Sequence, residues 1–156
     1  SLFSSRCLTT ISGVLMKNYL LAANLVLAFF VNPLQAEQKK MLGPWDVHYI
    51  AFDSTMLDAK VAQSYQLQRS KYEAVLNISV LNSKDQKAQQ VRISGTATDL
   101  TQKQIELTFR EVKEGEAIYY LAQVPVHDQK HLNFKLDIWQ GTENQKLEFS
   151  QVFYTE

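Results

Sequence analysis

The stretch Lys71-Tyr-Glu-Ala-Val-Leu-Asn-Ile-Ser-Val-Leu-Asn82 decides the fold. Tyr72, Ala74, Leu76, Ile78 and Val80 alternate with Glu73, Asn77 and Ser79, so an extended chain here turns one side to a core and the other to water. Further segments repeat this two-residue period. Downstream, Val91, Ile93, Gly95 and Ala97 oppose Arg92, Ser94, Thr96 and Thr98, and Ile105, Leu107 and Phe109 oppose Glu106, Thr108 and Arg110. Residues 117–124 are apolar on both sides, which predicts an enclosed strand. Leu132, Phe134, Leu136 and Ile138 oppose Asn133, Lys135, Asp137 and Trp139, and Leu147, Phe149, Gln151 and Phe153 form the last strand.

Upstream, Trp45-Asp-Val-His-Tyr-Ile-Ala-Phe52 reads as the first strand, opened by Gly43-Pro44. Its second face, Asp46, His48, Ile50 and Phe52, is half apolar and calls for a cover. Residues 55–65 supply one: Leu57, Val61 and Tyr65 recur every fourth residue, and Thr55 with Asp58 resembles a helix-opening box. The expected architecture is all-β: a seven-stranded antiparallel β-sandwich, immunoglobulin-like or related, with one short helix after the first strand. An up-and-down barrel is the rival. The small residues at 95 and 97 mark a place where another backbone comes close.

Ahead of this domain, Met16-Lys-Asn18, an apolar run over residues 19–31 and Asn32-Pro33-Leu-Gln-Ala36 follow the order of a helical secretory signal segment cut after Ala36. Thirteen apolar residues fall short of the roughly 20 needed to cross a bilayer. The expectation is an upstream extension over 1–15, a signal peptide over 16–36 and a single domain over 37–156, periplasmic or secreted, with no stable membrane span once the signal is removed. Cys7 is the sole cysteine, so the domain carries neither an internal disulfide nor a thiol nucleophile. Residues 1–36 hold two of the 16 basic residues, Arg6 and Lys17, and none of the 16 acidic ones; the remainder has 14 against 16, a net of −2. That balance argues against nucleic acid and against an anionic membrane surface.

Several phrases, in order, are similar to one known family: Val47-His-Tyr49 with Ala51-Phe52, Arg69-Ser-Lys71, Asn77-Ile-Ser-Val80, Gly95-Thr-Ala97, Phe109-Arg-Glu111 with Glu114-Gly115, Ala117-Ile-Tyr-Tyr120 and Phe149-Ser-Gln151 with Phe153-Tyr154. Together they resemble the bacterial domain of unknown function 4426, a family of exported proteins of Gammaproteobacteria. The resemblance spans about Gly43 to Tyr154 and implies an exported single domain; it brings no catalytic residue with it.

Candidate chemistry is sparse. His48 and Asp46 lie two apart on one strand face, where a carboxylate can orient an imidazole for acid and base work, as in a small hydrolase. No glycine-flanked serine elbow accompanies them, and a half-buried structural histidine is the simpler reading. His127 and His131 are four apart, a spacing that chelates metal on a helix, but Pro125 and the flanking strands make this a loop without an evident third ligand. Asn77-Ile-Ser79 has the form of a glycosylation acceptor but falls inside a strand. Aromatics and arginines are the better lead. Leu57, Tyr65, Arg69, Arg110, Tyr119 and Trp139 are expected to form a contact surface for an envelope protein or peptide, with no cofactor. The sequence therefore favours a non-catalytic binding or accessory module over an enzyme or a metal carrier.

Overall fold

The computed structural model describes residues 37–154. The expected signal peptide and upstream extension, residues 1–36, lie outside the described residues. Among the described residues nine strands run in the order β1 (Gln38–Leu42), β2 (Trp45–Asp53), β3 (Glu73–Asn82), β4 (Arg92–Thr98), β5 (Gln104–Leu107), β6 (Arg110–Glu114), β7 (Ala117–Pro125), β8 (Lys130–Gln140) and β9 (Glu143–Phe153). They form two antiparallel sheets, ordered β1-β2-β3-β7-β6 and β5-β4-β8-β9. Between β2 and β3 lie a 3-10 turn, Ser54–Met56, and the helix α1, Ala59–Ser64.

The count is nine where the hydrophobic pattern predicts seven, for two physical reasons. Strand β1 is exposed along nearly its whole length and shows no alternation; it is held by main-chain pairing to β2, Gln38 opposite Tyr49 through Leu42 opposite Trp45. Gly43, at φ +57°, and Pro44 make the tight turn that joins the two strands. The single predicted strand around Ile105, Leu107 and Phe109 is two strands in different sheets. β5 pairs with β4, the chain crosses at Thr108 and Phe109, and β6 pairs with β7. Leu107 is buried and Ile105 and Phe109 pack against the same core, so the apolar alternation runs through the crossing without a break.

The facing sides of the two sheets bury one shared core, a sandwich-like arrangement. Trp45, Val47 and Tyr49 of β2 and Leu76, Ile78 and Val80 of β3 meet Phe134, Leu136 and Ile138 of β8 and Leu147 and Phe153 of β9. Phe149 lies 4.5 Å from the ring of Tyr49 and stacks on Phe134 at 4.8 Å, so one aromatic chain joins the sheets. Gln151 Nε2 donates to the carbonyl of Ala51 at 2.7 Å, tying β9 to the flank of β2. The expected close approach at Gly95 is present: a Cβ there would lie 2.4 Å from the carbonyl oxygen of Lys135.

The outer face of the five-stranded sheet is covered in part, as its half-apolar pattern requires. Ile50, Phe52, Leu57, Ala62, Val75 and Leu121 are buried there, apart from the main core. The helix starts later than the sequence suggests. Asp58, not Thr55, is its N-cap, with Oδ1 accepting from the Lys60 amide at 2.8 Å, while Thr55 sits within the 3-10 turn.

Candidate functional site

Strand parity fixes which side chains share the outer face of the five-stranded sheet. Register aligns Lys39, His48 and Ser79 in one row and Ile50, Asn77, Leu121 and Arg110 in the next. The segment after α1 lies over this face at the β7 and β6 side. Gln68 exchanges two hydrogen bonds with Gln123 of β7, and Arg110 Nη1 donates to the Tyr65 carbonyl and to Gln66 Oε1, both at 2.8 Å. The Tyr65 hydroxyl donates to Glu114. An open cleft of about 630 Å³ runs between Ser64–Gln66 and Arg110–Glu114.

The predicted pairing of His48 with Asp46 is not made. Asp46 is buried; its Oδ2 accepts from Gln86 Nε2 at 2.9 Å and lies 3.8 Å from Lys39 Nζ, and its Oδ1 has no partner. The carboxylate that faces the imidazole is Glu37, with Oε1 3.6 Å from His48 Nδ1, while His48 Nε2 is buried without a partner. Glu37 escapes sequence reasoning because the turn at Gly43 and Pro44, not any local spacing, folds it back onto His48. Beside it, buried Asn77 keeps an unpartnered Oδ1; its enclosure inside β3 suits a strand position and not a glycosylation acceptor.

The acidity of this face follows from its enclosure. Burial raises the Tyr65 phenol, and the hydrogen bond to Glu114 raises it further. Tyr119 is raised first by burial and then by the charges of Glu114 and Glu37, which puts both carboxylates within electrostatic reach of one phenol. The face therefore gathers Glu37, Glu114, Tyr65, Tyr119, His48 and Arg110.

Of the six predicted contact residues, five belong to this face or its rim. Tyr65 and Tyr119 are half-buried, Arg69 and Arg110 exposed, and Leu57 buried, so Leu57 supports the cover and offers no contact area. Arg69 Nη2 donates to the Thr55 carbonyl at 3.2 Å. Trp139 lies elsewhere, on the outer face of the four-stranded sheet, 38 % exposed with the Arg92 guanidinium 5.7 Å from its ring centroid. That second face is a polar ladder in which Ser94 pairs with Asp137 and Asp137 with Lys146, the last two 3.9 Å apart. His131 stands on it opposite Val152, while His127 is in the preceding loop with Nδ1 3.2 Å from the Asp128 carbonyl. Among the described residues no three histidine, cysteine, aspartate or glutamate side chains form a metal-holding group, and no helix is long and apolar enough to cross a membrane.

The model of the family described as domain of unknown function 4426 matches residues 39–156. The chain belongs to that family. A solved DUF4426 protein from Pseudomonas aeruginosa PAO1 is 35 % identical, with a TM-score of 0.68 over 77 % of this chain and 96 % of that one. FetP of uropathogenic Escherichia coli strain F11, recombinantly expressed in the periplasm, is similar in fold at 11 % identity, with a TM-score of 0.54 over 77 % of this chain and 95 % of FetP. A copper-bound variant of FetP gives 0.56 at 11 % identity, over 78 % and 92 %. Among curated proteins none matches the chain. The DUF4426 match begins at Lys39, so it takes in the strand β1 that the hydrophobic pattern misses.

Proposed function

We propose that this DUF4426 protein is an exported, non-catalytic binding module that engages another envelope component through the outer face of its five-stranded sheet. The observation that carries the reading is the contrast between the two outer faces. One is a solvated ladder of paired charges; the other gathers tyrosines, arginines and carboxylates around the open cleft between Ser64–Gln66 and Arg110–Glu114. Aromatic and arginine side chains around an open cleft are the groups that carry most of the contact energy at protein interfaces, and they suit this face to a partner. Without β1, the strand orders β2-β3-β7-β6 and β5-β4-β8-β9 follow the connectivity of an immunoglobulin-like sandwich, which supports that finer description of the fold.

Export rests on the signal pattern of residues 16–36 and accords with the periplasmic expression of FetP; the likeness to FetP is one of fold and supplies no ligand. Two measurements test the proposal. N-terminal sequencing of protein from the envelope fraction is expected to begin at Glu37. A photo-crosslinker at Lys39, beside His48, is expected to capture an envelope partner that the same group at Lys135, on the charged ladder, does not. Equal capture from both positions, or capture from neither, refutes the binding face.

A further inference from the structure

We infer that β6 is a self-association edge through which two copies of this chain join their five-stranded sheets. Among the described residues β6 closes one side of its sheet and pairs with β7 alone. Its sequence, Arg110-Glu-Val-Lys-Glu114, is self-complementary when read antiparallel. A two-fold axis at Val112 sets Arg110 against Glu114 of the second copy, Glu111 against Lys113, and Val112 against itself. Opposite charges across a ladder favour a pairing and like charges oppose it.

The neighbouring two-fold registers fail on the same rule. Centring on Glu111 sets glutamate against glutamate, and centring on Lys113 sets lysine against lysine, so one register is selected. An edge lysine ordinarily discourages pairing; here it does so in every arrangement except the one that meets a glutamate. The cleft between Ser64–Gln66 and β6 leaves open space alongside the strand. Lys113 is exposed and lies 3.7 Å from Glu111 of its own chain, a contact it would exchange for the equivalent glutamate across the axis, as Arg110 and Glu114 would exchange their bonds to Tyr65 and Gln66 for each other.

The other three edges do not share these properties. β1 carries two lysines and no acidic residue, so no register of it sets opposite charges against each other. β5 is four residues long with one charge. β9 also places lysine against glutamate about Leu147, but that register has one kind of charge pair where β6 has two, and its Lys146 already lies 3.9 Å from Asp137 of β8. The axis lies at the opposite side of the sheet from Lys39, so two candidate faces would lie on one side of a continuous sheet and the association does not depend on what they bind.

The test is sedimentation equilibrium of the purified protein over a wide range of concentration, with hydrogen exchange on the same samples. The expected result is a reversible doubling of mass, with protection rising with concentration at those Arg110–Glu114 amides that point away from β7. Lys113→Glu, an exposed change checked for folding by circular dichroism, sets two glutamates opposite each other and is expected to weaken association by about tenfold or more, while Lys113→Arg retains it. A protein that stays monomeric throughout overturns the inference. So does a dimer that Lys113→Glu leaves intact, or one that protects amides elsewhere and not those of β6.

Discussion

The phenolic oxygen of Tyr120, on β7, accepts a hydrogen bond at 2.8 Å from the main-chain N–H of Val91, the residue just ahead of β4 in the opposite sheet. The same hydroxyl donates to Glu111 Oε2 at 2.9 Å. One side chain thus satisfies a buried amide and a carboxylate while bridging the two layers. Tyr120→Phe leaves the Val91 amide without its acceptor in a site too enclosed for easy replacement by water. The expected cost is about 1 to 3 kcal/mol, the scale of one buried unsatisfied group, read as a lower urea midpoint with an unchanged slope. Burial, and secondarily Glu111, push the Tyr120 pKa up to about 12. A phenol raised on folding adds stability that is present below its unfolded value near 10 and is lost as pH rises through about 12. Tyr120→Phe is therefore expected to make the alkaline fall in stability shallower.

A second tie joins the turns at the other end of the strands. Asp99 Oδ2 accepts from Lys130 Nζ at 3.0 Å, and Oδ1 accepts from the Thr101 hydroxyl and from the amides of Thr101 and Lys103. The Thr101 hydrogen bond first, and Lys130 next, hold the Asp99 carboxyl well below the usual carboxylate range. A carboxyl lowered on folding contributes stability that is complete above its unfolded value, near 4, and is lost as pH falls toward the folded one. Asp99→Asn is expected to be less stable than wild type at pH 7, with the gap closing in acid. Urea midpoints at a series of pH values check it; a gap that stays constant in acid contradicts the assignment.

The strand pattern was readable wherever one face is buried, because alternation records burial. Ala74, Leu76, Ile78 and Val80 against Asn77 and Ser79, and Leu132 to Ile138 on β8, stand on the faces their spacing predicts. Where both faces are wet, as in Gln38–Leu42, nothing in residue type reports a strand held by its main chain. Where the chain changes sheets at Thr108 and Phe109 yet keeps its apolar residues inward, alternation cannot mark the break. The site follows the same logic: spacing put Asp46 and His48 on one face, but their partners, Gln86 and Glu37, come from a turn and a hairpin that only the folded chain brings near. Trp139 fell on the other sheet because parity assigns a residue to the outside of its own sheet and says nothing of which sheet that is.

Asp53 reverses the argument made for Asp99. It ends β2 with Oδ1 buried and unpartnered, and burial raises its carboxyl above the ordinary value. A raised carboxyl costs stability once pH passes its unfolded value, so the penalty is absent in acid and complete at neutral pH. Asp53→Asn removes the charge and is expected to raise stability at pH 7, with no gain near pH 3. Thermal melts at the two pH values separate this from a general effect of the amide.

Gly95 offers the sharpest packing test, because its constraint is main chain against main chain. A Cβ at this position would stand 2.4 Å from the Lys135 carbonyl oxygen and 2.9 Å from the Leu136 Cα, both on the paired strand β8. Neither atom can rotate away as a side chain does. Ordinarily an alanine gains over glycine within a strand by lowering the entropy of the unfolded chain. Here the clash outweighs that gain, since relief requires β4 and β8 to separate along a ladder that runs from Arg92 opposite Trp139 to Thr98 opposite Asn133. Gly95→Ala is expected to destabilise by about 1 to 3 kcal/mol, the range for overpacking a filled interior, and to speed amide exchange at Lys135 and Leu136. Ala97, two residues along the same strand and already carrying its methyl group fully buried against the core, sets the control: Ala97→Gly is expected to destabilise without altering exchange at Lys135.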